Sequence, residues 1–185
     1  MTAARRRAVF LDRDGVINRP LLQDGKPLAP RRVADFVLLP GAAEAIRQLK
    51  DAGFFVAVVT NQPDIGNGLV AASVVAAMHA ALRQATGVDE IRVCPHSQTA
   101  GCACRKPKPG MLLEAAVAHG IDLSASFMVG DRVSDVLAGS AAGCYTIFLD
   151  RGYAETRMHS FDADAILASL PEAVRHILSR SQQND

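Results

Sequence analysis

Four short apolar runs punctuate the chain, at 8–11, 55–59, 127–129 and 146–149. Each has strand length, carries no charge and is built largely from Val, Ile, Leu, Phe and Ala, the pattern of strands buried on both faces. Between them the apolar positions switch to helical spacing. Over 41–53, Ala42, Ala45, Ile46 and Leu49 share one face, and Gly53 suits a helix stop. Over 72–87, Val74, Val75, Met78 and Leu82 form a similar stripe. The segment 110–120 follows a proline, 134–143 follows an aspartate cluster, and both read as helices. Strand and helix in alternation predict an α/β fold, a doubly wound parallel sheet covered on both faces.

The remaining stretches read as irregular. Pro20, Pro27, Pro30 and Pro40 break up 18–40, which is expected to be a surface loop, and 95–109 is a second loop. The polar end, 179–185, is expected to fray. At 185 residues the chain is one ordinary domain, 1–185. Its 49% hydrophobic content lets it bury a core without disulfide staples.

Charge narrows the partners. Twenty Lys and Arg against nineteen Asp and Glu leave no electrostatic footprint for nucleic acid or an anionic membrane surface. Aromatic residues are only 5%, with no Trp, which speaks against stacking on polynucleotide ends. No apolar run approaches the roughly 20 residues of a membrane span. The run that follows Arg5, Arg6 and Arg7 lasts four residues before Asp12, short of a signal-peptide core of about 7–15. A cytoplasmic monomer acting on a small molecule is expected, with its thiols reduced.

The strand ends carry the chemistry, which is where open α/β sheets collect functional groups. The first apolar run ends in Asp12-Arg13-Asp14-Gly15, the second in Thr60-Asn61-Gln62, and the third in Gly130-Asp131-Arg132-Val133-Ser134-Asp135. On an extended segment Asp12 and Asp14 point to one side and Arg13 to the other, and Gly15 permits a sharp exit. A lysine in Arg105-Lys106-Pro107 completes the set.

That set resembles the haloacid dehalogenase superfamily of phosphotransferases over about residues 8–150, with all four motifs in order. The resemblance implies a Rossmann-like core with Asp12 as nucleophile and Asp14 as general acid/base. It also implies that Thr60 binds the transferring phosphoryl group and that Lys106 is the third-motif lysine. Asp131, with Asp135 behind it, would complete a Mg²⁺ site beside Asp12 and the backbone carbonyl of Asp14.

Cys94, His96, Cys102 and Cys104 place three thiols and an imidazole within eleven positions. Cys₃His is a closed, structural Zn²⁺ set. The loop 94–104 runs straight into Arg105 and Lys106, so the metal is expected to steady the lysine. Cys144 reads as packing, and histidines 79, 119, 159 and 176, without ligand-like company, as surface or core residues.

Together, Cys-Pro-His, Cys-Ala-Cys-Arg-Lys-Pro, Asp-Arg-Asp-Gly and Thr-Asn-Gln resemble one branch of the superfamily. It holds the heptose-bisphosphate phosphatases and the histidinol-phosphate phosphatases, and 12–18 and 104–111 lean toward the former. By that resemblance Arg105 recognises substrate, with Asn18, Asn61, Gln62 and Arg132 lining the site. The branch usually continues Thr-Asn-Gln with Ser-Gly-Ile and an arginine; here Pro63-Asp64-Ile65-Gly66-Asn67 removes that arginine and a contact to the distal phosphate. The metal loop is also short. No segment is long enough for a large cap, so 18–40 and the metal loop are expected to frame an open mouth. A phosphoaspartate receiver module is the rival of another class, and Asp14 argues against it because it promotes hydrolysis of a phosphate that a switch must keep. A silent zinc-bearing interaction module would not need every catalytic side chain.

Overall fold

The structure, a computed structural model, describes residues 6–153 and 161–183. The first five residues, His159 and the last two residues therefore lie outside it. Strand β1 (Ala8–Leu11) runs between β4 (Phe55–Asn61) and β6 (Phe127–Gly130). Beyond β4 lies β5 (Glu90–Cys94); beyond β6 lie β7 (Tyr145–Leu149) and β8 (Ala165–Leu167). All neighbours are parallel, in the order β5-β4-β1-β6-β7-β8. Numbered within the sheet this is 3-2-1-4-5-6, the doubly wound order whose direction reverses between β1 and β6.

Period-two alternation in β1 sends Val9 and Leu11 into one core and Ala8 and Phe10 into the other. The first core is closed by α1 (Ala42–Asp51), α3 (Ala72–Thr86) and α6 (Leu170–Gln183). The second is closed by α4 (Gly110–His119) and α5 (Val133–Ala142), and Cys144 packs there as expected. The buried stripe of α3 is Val75, Met78, His79, Leu82 and Thr86, so His79 joins the interior and Val74 stays half-buried. Among the described residues no helix is long and apolar enough to cross a membrane.

Two stretches differ from expectation. Within 18–40 the chain forms a hairpin, β2 (Leu21–Gln23) against β3 (Lys26–Leu28). Asp24 and Gly25 both take positive φ at its tip, as a tight hairpin turn requires. At the other end, α6 carries the polar run from Ser179 as helix through Gln183 instead of fraying, with Ser181 buried and donating to Ile177 O.

Candidate active site

β4 continues two residues past the apolar run, so Thr60 and Asn61 are its last strand positions. Asp12 follows β1 and Asp131 follows β6, on either side of the point where strand order reverses. The Asp12 amide donates to Val129 O at 2.9 Å, which pins the two strand ends together. Asp12, Asp131 and Asp135 bring carboxylate oxygens within 4.8 Å of one another, all buried.

Lys106 reaches into this cluster. Its Nζ donates to Asp12 Oδ1 at 2.8 Å and to Val59 O at 2.7 Å, and it pairs with Asp135 Oδ1 at 2.6 Å. Three acceptors meet three N–H bonds. Burial alone would favour the neutral amine, but Asp12 and Asp135 outweigh it and hold Lys106 above its ordinary value. Burial lifts Asp12 to about 6; Lys106 pulls the other way, while Asp135 and Asp14 push further up. Asp131 is raised well above the carboxylate range, chiefly by burial and then by Asp12 and Asp135.

Three buried carboxylates thus face one ammonium. Neither Asp131 oxygen meets a donor in hydrogen-bonding geometry, although the Tyr153 hydroxyl lies close enough to ease its charge. Buried, unpartnered carboxylate oxygens beside two further carboxylates suit a hard divalent cation. Asp135 also caps the first turn of α5, where its Oδ2 accepts from the Arg132 amide at 3.0 Å.

Two glycines make room for this crowding. Gly15, at φ +85°, faces Asp131 so closely that any Cβ would collide with Oδ2, and a Cβ on Gly130 would collide with Asp135.

Asp14 is held on a different footing. Arg13 does not point away from it as alternation along an extended strand implies. Its guanidinium closes on the Asp14 carboxylate, with Nη2 at 3.0 Å from each oxygen. The chain leaves strand geometry here, because Arg13 O accepts from the amides of Ile17 and Asn18 in a tight turn. Asn18 donates to Asp14 Oδ1 at 2.9 Å and Gln62 to Oδ2 at 2.8 Å.

A cavity of about 400 Å³ opens above Asp12 and Asp14, lined also by Asn61, Arg105, Lys106, Arg132 and Asp135. Asn18, Thr60 and Gln62 are buried, and Asn18 and Gln62 hold the two oxygens of Asp14. Gln62 also donates to Thr60 Oγ1 at 2.8 Å, leaving that hydroxyl its own hydrogen to give. Asn61 clamps Lys106 by its backbone, accepting from its N at 3.1 Å and donating to its O at 3.0 Å. Arg132 Nη2 donates to Pro27 O at 2.6 Å, drawing the β2–β3 hairpin over the mouth. Arg105 keeps one buried nitrogen, Nη1, without a partner.

Several participants carry no signal in the sequence. Asp64, Gln98, Ser134, the hairpin residues Pro27 and Leu28, and Ala29 just beyond them line the cavity because loops distant in the chain meet there. The divergent 63–67 stretch forms the short helix α2 (Pro63–Gly66), packed so closely on the metal loop that a Cβ on Gly66 would lie 2.6 Å from Ser97 N. Asn67 donates to Gln98 at 3.0 Å.

In the metal loop, Cys94 and Cys104 lie 3.5 Å from Cys102, sulfur to sulfur, and 3.6 and 3.3 Å from His96 Nδ1. A disulfide would need about 2.05 Å. A tetrahedron with bonds of about 2.3 Å separates its sulfurs by about 3.8 Å, so these spacings suit a Cys₃His site. Outside it, His119 pairs with Glu90 at 3.2 Å and His176 lies 3.2 Å from the Tyr145 hydroxyl, both structural contacts.

Known proteins resemble this chain in sequence and fold. A family model described as HAD-hydrolase-like matches residues 103–173. A D-glycero-beta-D-manno-heptose-1,7-bisphosphate 7-phosphatase from Pseudomonas aeruginosa is 40% identical over 152 residues, covering 80% of this chain and 83% of the relative. A D-glycero-D-manno-heptose-1,7-bisphosphate 7-phosphatase from Thermosynechococcus vestitus is 34% identical, covering 93% and 95%. The solved D,D-heptose 1,7-bisphosphate phosphatase from B. bronchiseptica, complexed with magnesium and phosphate, superposes with a TM-score of 0.84 at 30% identity, covering 94% of this chain and 99% of that one. With identity at this level spread over most of both partners' lengths, the chain belongs to the heptose-1,7-bisphosphate 7-phosphatase family of HAD-like hydrolases.

Proposed function

We propose that the chain removes the 7-phosphate of a D-glycero-D-manno-heptose 1,7-bisphosphate through an aspartyl-phosphate on Asp12. The observation that carries this is the Asp12 carboxylate itself, facing the cavity with Oδ1 fixed by Lys106 and Oδ2 left to attack. Mg²⁺ fits the Asp12, Asp131 and Asp135 cluster, where it would neutralise charge between carboxylates and a phosphoryl group.

A carboxylate approaching a phosphate meets repulsion of about 4 kcal/mol per charge pair at about 4 Å and an effective dielectric near 20. Lys106 offsets part of that, and Arg105 and Arg132 hold the phosphate side of the substrate in the cavity. Asp12 Oδ2 attacks phosphorus, the bond to the sugar oxygen breaks, and Asp14 gives that oxygen its proton. Asp14 then takes a proton from water, which attacks the same phosphorus, releases inorganic phosphate and restores Asp12. Thr60 donates its remaining hydrogen to a phosphoryl oxygen.

The polar lining suits a sugar chain. Asp64 is already paired with Arg31 at 2.6 Å, so it offers no unpartnered carboxylate to the ammonium of histidinol phosphate. The decisive assay is phosphate release with Mg²⁺ from both anomers of heptose 1,7-bisphosphate, beside histidinol phosphate and fructose 1,6-bisphosphate. One heptose anomer is expected to exceed the other two compounds at least about a hundredfold in kcat/KM. Equal, slow rates on all of them would sink the heptose assignment. The cytoplasmic, monomeric state expected from the sequence belongs to the same reading, and sedimentation would test the second part.

Gly15→Ala is expected to weaken Mg²⁺ binding about 10- to 100-fold by pushing Asp131 out of line. Calorimetric titration of Mg²⁺ reads it directly; unchanged affinity would mean that Asp131 yields freely.

Zn²⁺ fits the Cys94, His96, Cys102 and Cys104 set. Removing it with a chelator, then restoring Mg²⁺, is expected to lower turnover about 10- to 100-fold, the scale set by roughly 1 Å of misplacement at Lys106. Far-UV circular dichroism should hardly change, because most of both cores lies outside the loop. Full loss of ellipticity would make the metal a folding element instead.

A further inference from the structure

Arg13 stands between the two catalytic aspartates in sequence, yet its side chain faces neither the cavity nor solvent and is fully buried. Its Nε and Nη2 fork onto both oxygens of Asp14, at 3.0 to 3.3 Å. Its Nη1 lies 2.9 Å from Nε2 of His79 on α3. A guanidinium can only donate, so Nε2 is the bare nitrogen and His79 is the neutral, Nδ1-protonated tautomer. Burial, and then Arg13 itself, bring His79 down to about 4, so it stays neutral at physiological pH. The Phe36 ring backs the guanidinium at 5.6 Å.

Asp14 has about four lone-pair positions. Arg13 takes one on each oxygen, Asn18 one on Oδ1 and Gln62 one on Oδ2. A proton on Asp14 needs only one of these donors to withdraw. Gln62 has Thr60 as a second acceptor and can let go, whereas the two-pronged grip of Arg13 keeps the carboxyl plane fixed.

We infer that Arg13, its guanidinium set by His79, is a positioning residue that fixes the Asp14 carboxyl for proton transfer to the leaving oxygen and from the attacking water. The inference rests on the acid/base role proposed for Asp14. It does not depend on which sugar carries the phosphate.

The test compares an alkyl phosphate that the wild-type enzyme hydrolyses well with p-nitrophenyl phosphate, whose leaving group needs no proton. In Arg13→Met, kcat/KM on the alkyl ester is expected to fall about 100-fold, against less than about fivefold on the aryl ester. The aryl ester should also show a burst of p-nitrophenol equal to the enzyme present, because water attack on the aspartyl-phosphate becomes the slow step. His79→Leu should give the same split on a smaller scale, and His79→Gln, which keeps an acceptor for Arg13, should restore it. If Arg13→Met does not fold, the two His79 variants decide. Equal losses on both esters without a burst, or no loss at all, would overturn the inference. Asp14→Asn run in parallel separates the two ideas: a split there but not in the Arg13 and His79 variants overturns this inference alone, and no split in any of them removes the role of Asp14 as well.

Discussion

Asp12→Asn is expected to lower kcat by about 10⁴-fold or more while raising the melting temperature of the metal-free protein. The amide keeps the shape and can still accept from Lys106, but it cannot form the aspartyl-phosphate. The stability change follows from charge. Asp12 shares a buried space with Asp131 and Asp135, and Lys106 is the ammonium that reaches among them. Burial first, then Asp135 and Asp14, hold its folded value near 6 against an ordinary 3.8. A carboxyl whose pKa is raised by folding binds its proton more tightly in the native state. Its ionisation therefore costs stability, beginning as pH rises past about 4 and complete above about 6. Asparagine carries no such cost. Thermal melts in chelator should show the variant ahead by a few degrees near pH 7.5 and level with wild type near pH 4, each protein serving as its own control. A variant less stable at pH 7.5 would mean that the pair with Lys106 outweighs the crowding.

Lys106→Met is expected to be damaging on both counts. Lys106 is 3% exposed, and its ammonium satisfies Asp12, Asp135 and Val59 O at once. A thioether of similar length fills the space and leaves those oxygens without a partner. Breaking a buried pair in this way costs about 3–5 kcal/mol, and losing the positive charge beside the attacking carboxylate costs about 10²- to 10³-fold in turnover. Added Mg²⁺ should recover part of the stability but little of the rate. Lys106→Arg should fare little better, since a planar fork cannot meet three acceptors disposed around one nitrogen. Denaturant unfolding with and without Mg²⁺ gives the first number and steady-state kinetics the second. A rate within tenfold of wild type would remove Lys106 from the reaction.

Much of this site is legible in the sequence because its chemistry sits in contiguous stretches at the ends of apolar runs. Asp12, Thr60, Lys106, Asp131 and the Cys₃His set stand out by their spacing, and the alternating pattern places the central strands. Local pattern fails where the backbone stops being regular. Strand alternation puts Arg13 on the far side from Asp14, but the chain has already turned by Arg13, whose carbonyl accepts from Ile17 and Asn18. The same turn buries Asn18 behind Asp14. His79 lies on the interior stripe of α3, and only the arrival of Arg13 from another element explains a polar residue there. The β2–β3 hairpin leaves no periodic signal because Leu21, Leu22 and Gln23 are all exposed and do not alternate. The edge strand β8 is three residues long, too short for periodicity to register. In α6, Leu170, Ala173, Val174 and Ile177 keep helical spacing and enter the first core, and that anchorage carries the polar residues after them as helix.

The metal loop is gripped at both ends by bare backbone. A Cβ on Gly66 would crowd Ser97 N and Pro95 O, and one on Gly110 would strike Ala103 O, so neither flank tolerates even a methyl group. Between those grips, residues 98–101 form an exposed tip from which Gln98 reaches the cavity. Extra residues inserted at that tip would extend the rim over the substrate without disturbing Lys106, whose backbone is tied separately to Asn61. The fold thereby separates what must not drift from what is free to vary, and a lineage built on it can acquire new sugar phosphates by lengthening one stretch of chain while the reaction itself stays untouched.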